Sequence, residues 1–89
     1  MKIKDRFILQ QIADEFIVVP IAEEAERING IIKLNDEGAF LWRFLEKKDY
    51  TEEELVNLLV TNYHINIEVA TEYVEDYLKT LKKLGCLVS

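Results

Sequence analysis

Few side chains in this chain are of types that do chemistry. His64 is the sole histidine and Cys86 the sole cysteine. His64 falls at the predicted end of a helix, with no nucleophile or metal partner beside it. There it reads as an exposed helix-end residue that favours the helix dipole when protonated. Cys86 lies in an apolar tail, the setting of a small buried hydrophobe rather than of a reactive thiol. A lone cysteine also excludes an internal disulfide and a multi-cysteine zinc site. Carboxylates cluster at Glu23-Glu24-Glu26 and at Glu52-Glu53-Glu54. Neither cluster has the alternating oxygen-ligand loop of a calcium site. The first reads as a solvated connection and the second as a helix start. Gly30, Gly38 and Gly85 are isolated from one another, so no glycine-rich phosphate loop is present. The convergent polar groups that catalysis needs are missing, and the expectation is a protein that is not an enzyme and takes no cofactor or metal.

With side-chain chemistry so sparse, the backbone becomes the candidate for function. The segment Gly30 to Glu46, GIIKLNDEGAFLWRFLE, runs from a strand into a helix without a gap. Ile31, Ile32 and Leu34 are strand formers. Asn35 ends the strand and caps the helix that follows, its side-chain oxygen accepting from a first-turn amide. Ahead of it, Phe7 to Ile12 places Phe7 and Leu9 on one face and Gln10 on the other. Phe16 to Ile21 is a continuous apolar run whose Pro20 belongs at the strand end or a bulge. Asp14-Glu15 supplies the turn between these two strands. Ala22 to Asn29 is a polar connection, and Asn29-Gly30 is a turn signal. Three strands joined in succession favour an antiparallel meander.

The second half is helical. The first helix runs from Asp36 to about Lys47. Thr51 and Glu54 form a capping box that opens a second helix, which ends near Tyr63. Asn66 caps a third, running to Leu84, in which Ile67, Ala70, Val74, Tyr77, Leu81 and Leu84 recur at steps of three and four. Its acids come first and its bases last, as the dipole prefers. Gly85 is the helix stop, and Cys86-Leu87-Val88 packs back as a short extended tail. The fold class is therefore α+β and winged-helix-like, a three-stranded antiparallel sheet followed by three helices.

Eighty-nine residues correspond to one domain with an adequate core. No apolar run approaches the ~20 residues that span a membrane, and no secretory signal is present at the start, MKIKDRF. A cytoplasmic protein is expected. Seventeen acids stand against 11 bases, a formal net charge of −6. Duplex binding rests on neutralising phosphates, so this balance speaks against nucleic acid as the main partner. A helix-turn-helix reading of the last two helices would point Glu68, Glu72, Glu75 and Asp76 at phosphates.

What remains is a surface suited to an extended segment. The third strand ends the meander, so one of its edges is open unless the tail or a second subunit covers it. Such edges are normally protected by charge or proline, and Lys33 is the only charge between Gly30 and Leu34. A peptide can add there as a further strand. On the third helix Tyr73 sits off the main stripe and Tyr77 follows four residues later, a spacing that suits a groove wall. Phe40 and Phe44 are also four apart on the first helix, where Leu41, Trp42 and Leu45 already supply a core face, so one of them can be left near the surface.

The chain resembles the PqqD family, also described as the RiPP precursor recognition element. The resemblance rests on LNDEGAFLW (residues 34–42), TEEEL (51–55), Tyr63, and YLKTLKKLGCL (77–87), and it covers about Phe7 to Val88 as a single PqqD-like peptide-binding domain. It implies capture of the leader of a ribosomally made precursor peptide and its presentation to a maturation enzyme, a radical SAM protein, a leader peptidase or a cyclase. It also implies that the leader pairs with the third strand, here Ile31, Ile32, Lys33 and Leu34. The leader then lies against a helix wall near Ala70, Tyr73, Val74 and Tyr77. The connection AEEAERIN (22–29) is longer than in the shortest family members, which leaves the hairpin before the third strand open. The alternative is a structural or regulatory interaction domain, monomer or homodimer, that docks on a partner without reading a leader.

Overall fold

A computed structural model of the chain describes residues 1–28 and 30–88. In chain order the elements are β1 (Lys2–Ile3), β2 (Phe7–Ile12), β3 (Glu15–Pro20), α1 (Glu23–Arg27), β4 (Ile32–Leu34), α2 (Asp36–Leu45), α3 (Glu52–Tyr63), α4 (Ile67–Lys83) and β5 (Leu87–Val88). The expected meander is present as an antiparallel sheet of order β2-β3-β4. Its register pairs Leu9 with Val18 and Val18 with Ile32, and Phe16 with Leu34. Alternation along the strands then turns Phe7, Leu9, Val18, Ile32 and Leu34 toward the helices. Gln10, Ile17 and Lys33 lie in a row on the opposite face. Pro20 closes β3, where its missing donor matters least.

The hairpin turn sits one residue earlier than the sequence suggests, at Ala13-Asp14, and Ala13 takes a positive φ of 56°. Glu15 therefore belongs to β3. The third strand is also one residue shorter than expected: Ile31 precedes β4. Gly30 has a φ of 94°, a conformation that suits glycine. The Asn29 half of that turn signal lies outside the described residues.

Two elements were not expected. The polar connection folds into α1, a five-residue helix with no side-chain N-cap. It is held from outside: Arg27 pairs with Glu24 and donates to the carbonyls of Leu84 and Gly85, each at 3.3 Å. The other is β1, onto which the expected extended tail packs back as β5, pairing Lys2 with Val88 and Ile3 with Leu87. Lys4 N–H donates to Cys86 O at 2.9 Å beside it. The tail thus pairs with the start of the chain and leaves β4 alone.

The helix signals hold. Asn35 accepts from Gly38 N–H at 2.9 Å, and Asn66 accepts from Glu68 N–H at 2.7 Å. The Thr51 capping box is complete, with Glu54 N–H donating to Thr51 Oγ1 at 3.1 Å and Thr51 N–H to Glu54 Oε1 at 2.8 Å. Those bonds hold the Glu54 carboxyl below its ordinary range. His64 ends α3 in the left-handed region, φ 56°, and is exposed. Val18, Leu41, Trp42, Leu45, Leu55, Leu59, Val74 and Cys86 are fully buried between the sheet and the helices. Ile67, expected in the buried stripe of α4, is the first residue of that helix and is 58% exposed.

Candidate functional site

β4 pairs with β3 on one side only. In an antiparallel pair alternate residues turn their amide and carbonyl away from the partner. Among the described residues, no turn or loop backbone group bonds to Ile32, Lys33 or Leu34 on the outer side. The edge is therefore a row of unclaimed donors and acceptors. Ile31, 52% exposed, continues the edge upstream.

The edge opens into a groove of about 470 Å³. Lys33, Leu34 and Asn35 form one wall and Tyr73, Asp76, Tyr77 and Thr80, from α4, the other. Its mouth is set by a small polar hub at the β4–α2 junction. Tyr73 Oη donates to Asn35 Oδ1 at 2.7 Å, the same oxygen that accepts from Gly38 N–H. Tyr77 Oη donates to Gly38 O at 2.7 Å. The two tyrosine rings stack, with centroids 5.9 Å apart and planes 16° from parallel. Gly38 is closely approached: a Cβ there would lie 3.1 Å from Asn35 Oδ1, 3.2 Å from Tyr73 Oη and 3.3 Å from the Tyr77 ring, so a side chain would press on the hub. Burial, with the Glu37 carboxylate nearby, pushes the Tyr73 phenol up to about 12. Burial also raises Tyr77. Both hydroxyls therefore stay protonated donors at neutral pH.

Of the residues expected at the site, Ile31, Ile32, Lys33 and Leu34 lie along the open edge, and Tyr73 and Tyr77 stand on the facing helix. Ala70 and Val74 do not reach the groove. Both are fully buried, because the stripe they share with Tyr77 and Leu81 is the face α4 turns to the core. The groove takes the flank of that stripe instead. Asp76 and Thr80, three and seven residues after Tyr73, continue the wall, and sequence reasoning missed them. The core stripe fixes which face of α4 is buried, but which flank then meets β4 is set by tertiary packing, so the sequence alone carried no signal for them. Phe40 and Phe44 are taken up elsewhere. They stack edge-to-face on each other and on Tyr63 and Tyr50 at the α2–α3 margin.

The remaining candidate groups stay apart from this groove. Cys86 is buried, and burial raises its thiol to about 11. Among the described residues no group of three metal-ligating side chains converges. Nor is any helix long and apolar enough to cross a membrane.

Comparison with known proteins bears on the same region. The family model described as Coenzyme PQQ synthesis protein D (PqqD) matches residues 15–87. A solved structure, TbiB1 in complex with the TbiA(beta) leader peptide, shares the fold with a TM-score of 0.76 and 23% sequence identity, over 98% of this chain and 94% of that one. No sequence among the curated proteins matches.

Proposed function

Because this chain belongs to the PqqD family, we propose that it is a non-catalytic peptide chaperone, a single binding domain that acts in the cytoplasm. It captures the leader of a ribosomally synthesised precursor by strand addition at β4 and presents it to a maturation enzyme of the radical SAM, leader peptidase or cyclase class. The observation that carries this reading is the vacant edge of β4, facing a groove whose far wall is α4. The leader peptide held by TbiB1, a chain of the same fold, supports it.

In strand addition the main chain supplies affinity and register, and side-chain pockets supply selectivity. Ile31 to Leu34 provide the ladder. Tyr73, Asp76, Tyr77 and Thr80 provide the surface against which alternate guest side chains pack. The site is preorganised, because the tyrosine hydroxyls already tie α4 to the β4–α2 junction, so binding does not have to order the groove.

The test is a titration of isotope-labelled protein with the leader of any short precursor encoded near its gene, followed by amide shifts. Shifts centred on Ile32, Lys33, Leu34 and Tyr73 are expected. A folded Tyr73→Ala variant is expected to bind more weakly by about 1–2 kcal/mol. Shifts confined to surfaces away from β4 and α4 would refute the reading.

A further inference from the structure

The two walls of the groove carry opposite charges that do not meet. Lys33 is the only charged residue of β4, and Asp76 lies across from it on α4. Both are exposed, and among the described residues neither forms an ion pair or a side-chain hydrogen bond. Their directions differ. Lys33 lies between Ile32 and Leu34, which face the helices, so its side chain stands on the other face of the sheet, beside its cross-strand partner Ile17. Asp76 belongs to the helix wall, one turn from Tyr73 and beside Thr80. A strand added to β4 presents alternate residues to these two environments. The guest residue opposite Lys33 points outward, and its immediate neighbours point inward toward α4.

We propose that the groove selects an extended segment bearing an acidic residue at the position opposite Lys33 and a basic residue at an adjacent, inward-pointing position that meets Asp76. This deepens the strand-capture reading and rests on it. Opposite charges directly across a strand pair attract, and like charges there repel. On the β3 side Lys33 faces Ile17 directly, and Glu15, diagonal to it on the same face, forms no ion pair with it among the described residues, so the directly opposite counter-charge comes from the guest strand. Of the cations near Asp76, Lys33 turns its side chain to the other face of the sheet and Lys79, three residues on along α4, forms no ion pair with it among the described residues, so the guest is free to supply its counter-charge. The neighbouring Glu37, close enough to raise the Tyr73 phenol, adds to the negative potential on the inner side. Acid outside and base inside is thus the pattern that both walls favour, and the reversed pattern meets a like charge at both positions.

The probe is a random dodecapeptide library displayed on phage and panned on the immobilised chain, with binding at β4 checked by amide shifts of Ile32 to Leu34. The expected result is enrichment of Asp or Glu next to Lys or Arg, and a roughly three- to tenfold loss of affinity when either guest charge is reversed. Panning on Lys33→Glu should turn the acidic position basic and leave its neighbour unchanged. Asp76→Lys should do the converse. Both sites are exposed and unpaired, so both variants keep the fold. Peptides that shift β4 but carry no charge rule, or a rule that neither variant moves, would overturn the selectivity and leave strand capture standing. Library peptides that bind without moving β4, or a library that yields no binder, would remove strand capture and the selectivity together.

Discussion

Tyr77→Phe isolates the hydroxyl that bolts α4 to the β4–α2 junction. Tyr77 is 8% exposed and donates to Gly38 O at 2.7 Å, so the change removes one buried hydrogen bond and leaves that carbonyl with its helical donor, Trp42 N–H, alone. A neutral buried hydrogen bond contributes about 1 kcal/mol net, and that is the expected loss. For a domain of this size each kcal/mol lowers Tm by roughly 4–8 °C. Tyr73→Phe should cost less, about 0.5 kcal/mol, because its phenol is only partly buried and Asn35 Oδ1 keeps Gly38 N–H as a donor. Trp42 is the only tryptophan and is fully buried, so its fluorescence reports global unfolding in urea. The midpoint should fall in both variants, further in Tyr77→Phe, with the slope unchanged. An unmoved midpoint in Tyr77→Phe, or a larger loss in Tyr73→Phe, would refute the account of the hub.

Four further outcomes follow from the geometry. Thr51→Ala breaks the α3 capping box and should lower stability by about 1 kcal/mol in the same urea assay. Glu54 has a depressed folded pKa, so its contribution is present above the ordinary carboxylate value of 4.5 and is lost as pH falls through the lowered one; acid titration of Glu54→Gln should show a shallower loss than the parent. Tyr73 has a raised pKa, so its contribution is complete below pH 10 and disappears as pH rises toward about 12; tyrosinate absorbance should show a late step that Tyr73→Phe removes. Cys86, buried with its thiol raised to about 11, should resist a thiol-specific reagent at neutral pH in the native protein and react at once in denaturant.

How far the sequence could be read depended on how local the controlling physics is. Caps are decided within four residues, so Asn35, Thr51 and Asn66 were legible directly, and so were the helices behind them. The sheet strands β2 and β3 carried enough β-branched and aromatic residues to declare themselves within a residue. α1 and β1, the partner of the extended tail, were not legible. Five- and two-residue elements have no period of their own, and α1 is held by Arg27 reaching carbonyls 57 and 58 residues away. On the strand side, the position of Ile31 to Leu34 at a sheet edge was legible because an edge is a matter of element order, and of these Lys33 and Leu34 line the groove. On the helix side, Ala70 and Val74 were placed a third of a turn off, since the sequence defines the buried stripe of α4 but not which flank faces β4.

The two bonds taken by Asn35 Oδ1 constrain how this position can drift in evolution. One oxygen starts a helix and also steadies the tyrosine on the opposing element. Serine begins helices well, but its shorter side chain would abandon the phenol, so a lineage making that exchange would keep its architecture and slacken its recognition. Aspartate retains an acceptor at the same reach and is the neighbour through which such a lineage can pass with both duties intact.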